Sequence, residues 1–174
     1  LEKAGVKTHF IQYAGPALMR CKKVDIIPIE VVVRNYADGS IVRQTTIPKY
    51  TKFNPPLIEF YLKDDAKNDP LLTEDRLHIM GYRQLHQYKQ YAREVNAVVS
   101  NMFEQIGIRL IDFKIEFGTT SDGTVVVADE ISPDGCRLLA EGDKSMDKDL
   151  FRKGEGDIIQ AYTSILESLK NNVK

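Results

Sequence analysis

Acidic and basic side chains alternate with apolar ones in LIDFKIEFG, residues 110–118. Because successive side chains of a β-strand point to opposite faces, Asp112, Lys114 and Glu116 share one face and Phe113 with its apolar neighbours shares the other. A solvated face of an antiparallel sheet shows the same pattern. The functional alternative is a face whose carboxylates and amine meet a ligand.

A second acidic segment follows this strand after a short turn. The turn TTSDG leads into TVVVADEISPD, and strand, turn and strand together predict a β-hairpin. If Gly118 and Gly123 flank the turn, Asp112 lies opposite Asp129 and Glu116 lies opposite Val125. Facing carboxylates on neighbouring strands repel each other and need a cation, a shared proton or abundant water.

Mg²⁺ is the simplest cation for such a pair. It binds one or two carboxylates and completes its shell with waters and phosphate oxygens, as in phosphoryl-transfer sites. The pattern therefore predicts a Mg²⁺ site between Asp112 and Asp129. Lys114 fits equally well as a phosphate contact and as a counter-ion of the acids on its own strand.

Arginines near turns are candidates for anion binding. Arg34 follows the apolar run IIPIEVVV, and Gly39 and Ser40 follow at turn spacing, so a guanidinium, backbone N–H groups and a hydroxyl could converge on one anion. A solvated arginine beside a turn gives the same pattern. Arg137 in SPDGCR and Arg152 in DKDLFRK have the same two interpretations. The histidines have no Cys or acidic partners at metal-ligand spacing, so we assign them no role.

Composition limits the classes of protein that these residues could serve. The chain of 174 residues is 43% hydrophobic with a formal charge of −1, which suits one packed domain or two small lobes. Near-neutral charge predicts neither a nucleic-acid partner nor an anionic membrane partner. The longest apolar run, residues 24–33, is interrupted by Asp25 and Glu30 and is shorter than the ~20 residues of a membrane span. The chain has only two cysteines, and this low number indicates a reducing compartment such as the cytoplasm.

The segments between these motifs predict an α+β fold, an antiparallel sheet with packed helices. Residues 17–33 read as two strands, with Pro28 suggesting a sheet edge or a bend. Asp-Gly at 38–39 predicts a hairpin whose second strand is 41–47, and a further strand covers 57–62. A helix starts at Thr73, a longer one covers 85–106 with Gly107 as its C-terminal residue, and another covers 155–170. The apolar stripe of the long helix predicts a core position.

Five segments together identify a family. IIPIEVVVRNYADGS, FYLKDDAKNDP, LIDFKIEFG, ADEISPDGCRL and DKDLFR occur in this order and resemble the phosphoribosylaminoimidazole-succinocarboxamide synthase (SAICAR synthetase) family of purine biosynthesis. The resemblance implies the C-terminal part of a kinase-like, two-lobed ATP-binding fold. It also implies an ATP- and Mg²⁺-dependent ligase that joins L-aspartate to 4-carboxy-5-aminoimidazole ribonucleotide (CAIR) through an acyl phosphate. The products are SAICAR, ADP and phosphate.

The resemblance also implies roles for individual residues. Asp129, Glu116 and Asp112 would lie near the metal, with Asp129 also binding Mg²⁺–ATP. Catalysis would involve Asp112, Lys114 and Glu116. The residues expected to bind substrate are Arg34, Ser40, Arg137, Arg152 and the cleft lysine Lys63. The hinge segment CKKVDIIPIE would bring Lys22 and Glu30 to the nucleotide.

Members of this family carry an N-terminal β-rich lobe with a phosphate loop, and no such loop precedes LEKAGVKTHF. We therefore expect residues 1–23 to be a remnant of that lobe and the hinge, and residues 24–174 to form the α+β domain that binds substrate and Mg²⁺–ATP. Two other functions stay open: a non-catalytic ribonucleotide-binding module and a Mg²⁺-dependent small-molecule kinase. A homo-oligomer also stays open as the state of the protein.

Overall fold

The computed structural model describes residues 1–15, 18–147, 149–150 and 156–172. The strands are β1 Phe10–Gly15, β2 Leu18–Cys21, β3 Asp25–Tyr36, β4 Lys52–Leu62, β5 Leu71–Leu72, β6 Arg109–Thr119, β7 Val125–Ala128 and β8 Cys136–Leu139. The helices are α1 Ser40–Gln44, α2 Glu74–Ile79, α3 Leu85–Glu104 and α4 Ile158–Asn172. Every helix within the described ranges is too short or too polar to cross a bilayer.

Two antiparallel sheets confirm the predicted α+β class. β1 pairs with β2, while the larger sheet has the order β5-β4-β3-β6-β7, with β8 also pairing with β6. β3 therefore lies inside the sheet, so Pro28 does not mark a sheet edge, and the alternative of a bend at Pro28 stays a prediction. The proline is tolerated in β3, and its carbonyl accepts the N–H of Lys63.

Contacts divide the chain into two compact units. The first unit comprises Leu1–Val32, Glu59–Val95 and Ile115–Glu130, and the second comprises Val33–Ile58, Asn96–Lys114 and Ile131–Lys174. The long strands β3, β4 and β6 and the helix α3 contribute residues to both. The sequence-based division at residue 23 stays a prediction.

The core of the first unit is built on α3 and β6. Phe117 is 1% exposed, and its ring stacks on Tyr88 of α3 with the ring centroids 5.3 Å apart. Val95, on the same helix face, is fully buried. This is the apolar stripe that the three- and four-residue spacing predicted, and Gly107 at φ 70° follows the helix as expected. Helix α2 begins after Thr73, where the sequence predicted a helix start, and the side-chain oxygen of Thr73 accepts the N–H of Arg76.

The core of the second unit lies against the first half of β6. Ile111, Phe113 and Leu138 are at most 1% exposed. A hydrogen bond joins the C-terminal end of β3 to α3 in this unit, because the Nδ2 of Asn35 donates to the Oδ1 of Asn96 at 2.9 Å. In the same unit β8 pairs with β6, which sets Arg137 opposite Asp112.

The predicted strand at 41–47 is wrong, because Ser40–Gln44 is helix α1. The Asp-Gly turn does reverse the chain, with Gly39 at φ 66°. The returning strand is β4, since the N–H of Tyr50 donates to the carbonyl of Ala37 and the N–H of Ala37 donates to Thr51. A short helix and a loop are therefore inserted where an immediate hairpin was expected. Strand β4 includes the predicted strand at 57–62.

The hairpin of β6 and β7 is present, but the predicted register is wrong. Glu116 pairs with Ala128 rather than with Val125, and Asp112 pairs with Arg137 of β8 rather than with Asp129. The cause is the turn, where residues 120–124 form a loop closed by a hydrogen bond from the N–H of Thr120 to the carbonyl of Thr124. The paired residues of this hairpin therefore bring no two carboxylates opposite each other.

Candidate functional site

Asp112 is the centre of a charged cluster in the second unit. Its Oδ2 accepts hydrogen bonds from Nη1 of Arg34 at 2.8 Å and from Nη1 of Arg137 at 2.7 Å. The side chains of Asp112 and Arg34 are 5% and 3% exposed, whereas that of Arg137 is 24% exposed. The charged face of β6 is therefore not a solvated face, and Arg137 is the part of this cluster that solvent or a ligand reaches.

Burial and charge act in opposite directions on this cluster. Burial raises the pKa of the Asp112 carboxyl above its ordinary value, although the guanidinium groups of Arg137 and Arg34 favour the ionised form. Burial lowers the pKa of Arg137, but Asp112 and the neighbouring acids outweigh it, so that this pKa is raised overall. An acid that stays costly to ionise beside two arginines is more typical of a functional site than of a stabilising surface ion pair.

The segment 38–40 closes the cluster on one side. Nη1 of Arg34 also donates to the carbonyl of Asp38 at 3.1 Å, and its Nη2 donates to Oγ of Ser40 at 2.8 Å. The predicted grouping of Arg34 with Ser40 is thus present, and Arg137 joins it from β8. Guanidinium groups and a hydroxyl at this spacing suit a phosphate or carboxylate.

Gly39 makes this close packing feasible. A Cβ on Gly39 would lie 2.6–2.8 Å from the guanidinium atoms of Arg137, and the residue has φ +66°. We expect Gly39→Ala to lower the free energy of unfolding by about 2–4 kcal/mol. At φ 66° and ψ −127° a residue other than glycine is strained by roughly 1–3 kcal/mol, and displacement of Arg137 from Asp112 is added to this strain.

Gly142→Ala is the control for this prediction. Gly142 has φ 70° and ψ 22°, with nothing within 4 Å of an added Cβ, so the variant has only the smaller strain of the left-handed helical region. Chemical denaturation of both variants measures the difference. Equal losses in the two variants would show that Arg137 does not depend on the space above Gly39.

A second charged pair lies in the first unit. Nζ of Lys63 donates to both carboxylate oxygens of Glu116, at 2.8 and 2.7 Å. Glu116 is 1% exposed while the Lys63 side chain is 46% exposed. A buried carboxylate is therefore held by a lysine whose side chain is half-exposed. This suits a site where an anion approaches Lys63 or a second cation approaches Glu116.

The remaining predicted residues are spread over both units. Asp129 follows the end of β7, is exposed and has φ 58°. Lys22 is exposed, Glu30 is half-buried on β3, and Lys114 is half-buried on β6. Glu30, Lys114 and Asp129 each interact with other groups of the protein. Arg152 lies outside the described residues.

The acids differ in how well they fit a Mg²⁺ ion. In the described part of the chain, His, Cys, Asp and Glu side chains do not gather in threes around a possible metal position. A Mg²⁺ ion that arrives with phosphate oxygens needs only one or two carboxylates. Asp112 fits poorly, because two arginines already neutralise it. Glu116 fits better, because its partner Lys63 is 46% exposed and can turn toward solvent, and Asp129 is itself exposed.

Two residues near the cluster were missed by the sequence analysis. The Oδ2 of Asp149 lies 3.7 Å from Nε of Arg137, and Asp38 contributes its carbonyl to Arg34. Asp149 belongs to DKDLFR, where an acid stands close to basic residues, and that was the available signal. The carbonyl of Asp38 has no signal in sequence, because any residue could supply it.

Comparisons with known proteins agree on one family. The SAICAR synthetase family model matches residues 1–169. The phosphoribosylaminoimidazole-succinocarboxamide synthase of Acaryochloris marina is 48% identical over 175 residues, which cover 96% of this chain and 71% of that protein. The synthase of the same name from Pseudomonas fluorescens strain Pf-5 is 46% identical over 173 residues, covering 97% and 73%.

Solved structures give the same result. A SAICAR synthetase in complex with ADP superposes with a TM-score of 0.93 at 38% identity, covering 98% of this chain and 75% of that one. A SAICAR synthetase from Pyrococcus horikoshii OT3 superposes with a TM-score of 0.92 at 38% identity, covering 98% and 76%. The fold and the sequence segments therefore point to the same set of proteins.

Proposed function

Since the chain belongs to the SAICAR synthetase family, we propose that it is an ATP-dependent carbon–nitrogen ligase that joins L-aspartate to the carboxylate of CAIR. The observation that carries the proposal is the Arg34–Asp112–Arg137 cluster, with Ser40 beside it, in a chain 46–48% identical to two synthases of that name. The reaction belongs to purine biosynthesis and forms SAICAR, ADP and phosphate.

The chemistry takes place in two steps. An oxygen of the CAIR carboxylate attacks the γ-phosphorus of ATP, the bond to the β-phosphate oxygen breaks, and ADP leaves with that electron pair. The amine of aspartate then attacks the acyl carbon, phosphate leaves, and the nitrogen loses a proton as the amide forms. Neither step needs a covalent bond to the protein, so the protein contributes positioning and charge.

The cluster in the second unit would hold the 5′-phosphate of the ribonucleotide. Arg137 would contact the phosphate, because it is the exposed arginine of the pair, and Ser40 would add a hydroxyl. Arg34 would act with them, held in orientation by Asp112 and by the carbonyl of Asp38. Asp112 would serve as the acid that fixes both guanidinium groups, and Arg152 would supply a further contact.

The pair in the first unit would act on ATP. Lys63 would turn its exposed ammonium group toward a phosphate or carboxylate oxygen, and Glu116 would orient it. Glu116 and Asp129 would hold Mg²⁺, which when bound neutralises the phosphate oxygens. Lys114 would face a phosphate or carboxylate, while Lys22 and Glu30 would lie at the nucleotide as part of the hinge that residues 1–23 lead into. We place the enzyme in the cytoplasm, where a homo-oligomer is compatible with these roles.

Aspartate dependence tests the proposed function. Purified full-length protein is incubated with ATP, Mg²⁺ and CAIR, and ADP release is measured with and without L-aspartate. The ligase requires all three substrates for sustained release and forms SAICAR. A small-molecule kinase would release ADP without aspartate, and a binding module would release none while still giving heat with CAIR in calorimetry. Either of those results would reject the ligase assignment.

Arg34→Ala tests the phosphate role. We expect the KM for CAIR to rise roughly 10- to 100-fold, equivalent to about 1.5–3 kcal/mol for a charge-assisted hydrogen bond, with little change in the KM for ATP. Arg43→Ala is the control, because Arg43 is an exposed residue of the last turn of α1. A variant whose KM values for CAIR and ATP rise together would show that Arg34 supports the whole fold instead of one substrate.

A further inference from the structure

Asp38 brings a carboxylate into the group of charges around Arg137. It lines the same cavity of about 130 Å³ as Arg137. The neighbouring Gly39 approaches the guanidinium so closely that an added Cβ would touch it at 2.6–2.8 Å. The Asp38 side chain is held in place, because its Oδ1 accepts the N–H of Gly39 at 2.7 Å.

Acids outnumber bases in this cavity. The lining includes four aspartates, Asp38, Asp143, Asp147 and Asp149, but only one arginine and one lysine among the described residues, Arg137 and Lys144. Two of the acids have partners elsewhere. Asp143 pairs with Arg109, and Asp147 accepts the N–H groups of Leu138 and Asp149. Asp38 and Asp149 are therefore the acids of this cavity that act most directly on Arg137.

The effect of Asp38 reaches both partners of the buried ion pair. The charge of Asp38 is one of the causes that raise the pKa of Arg137, although its effect is smaller than the raising effects of Asp112 and Asp149 and the opposing effect of burial. It also contributes to the raised pKa of Asp112, after burial and the two arginines. The negative charge of Asp38 thus stabilises a cation at Arg137 and opposes further negative charge in the same place.

Lys49 offsets this charge only in part. Its Nζ lies 3.6 Å from Oδ2 of Asp38, but its side chain is 48% exposed, so solvent and salt screen the interaction. The side chain of Asp38 itself is 20% exposed. A phosphate dianion bound to Arg137 would therefore meet a fixed carboxylate whose counter-ion is largely in solvent.

We propose that Asp38 weakens the binding of phosphorylated ligands at Arg34 and Arg137, and so sets how tightly this site holds a ribonucleotide. The inference rests on the proposed phosphate role of that cluster. The two arginines and Asp112 alone would have a net positive charge, which Asp149 and Asp38 offset. The fixed carboxylate of Asp38 lowers the affinity for substrate and for product alike, because both have the same 5′-phosphate, and this favours product release.

The test compares Asp38→Asn with a matched control. The asparagine side chain keeps an oxygen for the N–H of Gly39 and leaves the backbone carbonyl at position 38 for Arg34, so the variant changes the charge and little else. Asp143→Asn is the control, since Asp143 lines the same cavity but pairs with Arg109. Its φ of 58° suits asparagine as well as aspartate.

Calorimetric titration with ribose 5-phosphate gives the readout. We expect the Kd of Asp38→Asn to fall roughly three- to tenfold, as removal of a nearby like charge predicts, and the Kd of Asp143→Asn to change less than about twofold. The gain of Asp38→Asn should shrink as NaCl is raised, because salt screens the repulsion. A merely structural role for Asp38 would weaken binding and would not depend on salt in this way.

The possible results separate this inference from the proposed function. In the first case the wild-type protein binds ribose 5-phosphate and Arg34→Ala does not, but the Kd of Asp38→Asn is unchanged or higher. That result would overturn the role of Asp38 and leave the phosphate site intact. If neither the wild-type protein nor Asp38→Asn binds ribose 5-phosphate, the phosphate site itself is overturned, and the inference about Asp38 fails with it.

Discussion

Glu116→Gln is expected to lower ATP-dependent ligase activity by roughly a hundredfold to a thousandfold while the protein stays folded. The carboxylate of Glu116 is 1% exposed and binds Nζ of Lys63 through both oxygens. An amide offers only one oxygen and no charge, so the ammonium group loses its orientation and Mg²⁺ loses a proposed ligand. Both losses act on the charge that develops during phosphoryl transfer.

The measurement is kcat at saturating substrates over a range of Mg²⁺ concentrations. Glu141→Gln is the control, because Glu141 is an exposed acid in a short turn of the second unit. Circular dichroism and thermal unfolding of both variants establish that each is folded. Turnover that stays near the wild-type value in Glu116→Gln would count against its role in phosphoryl transfer.

Lys63→Met is expected to lower the free energy of unfolding by roughly 3 kcal/mol, more than Glu116→Gln does. The asymmetry follows from exposure. When Glu116 becomes neutral, the half-exposed Lys63 can turn to water, but when Lys63 becomes apolar, the buried Glu116 carboxylate loses its ammonium partner where water cannot replace it.

Lys67→Met is the matched control. Lys67 pairs with Asp64 three residues earlier, and its side chain is 64% exposed, so its loss should cost less than about 1 kcal/mol. Urea denaturation of the three variants gives the comparison. If Glu116→Gln proved the more destabilising change, the burial of that carboxylate could not be the source of the cost.

The sequence analysis and the structure agree where the signal is local. The three- and four-residue spacing predicted α3 and its buried face, where Tyr88 and Val95 lie. Helix α2 begins after Thr73, where the sequence predicted a helix start. These features depend on residues within one or two turns of each other, so the pattern contains all the information that the element needs.

The charged face of β6 shows the limit of such patterns. Alternation correctly placed Asp112 and Glu116 on a strand, but it led to a hairpin register that is wrong and to a facing pair of carboxylates, Asp112 and Asp129, that the strand pairing does not form. The cross-strand partner of Asp112 is Arg137, which comes from β8 and lies 25 residues further along the chain. A period of two describes one strand and says nothing about which strand lies beside it.

The sequence by itself determined the α+β class, the long helix and the family, and it singled out Arg34, Asp112 and Arg137 but not Asp38 or Asp149. Only the tertiary structure decided how these charges pair: Asp112 with two arginines, Glu116 with Lys63, and Asp38 beside Arg137. The physical reason is that side-chain alternation is a property of the backbone of one strand, whereas the cost of a buried charge depends on the groups that surround it. Those groups come from distant segments, and packing brings them together.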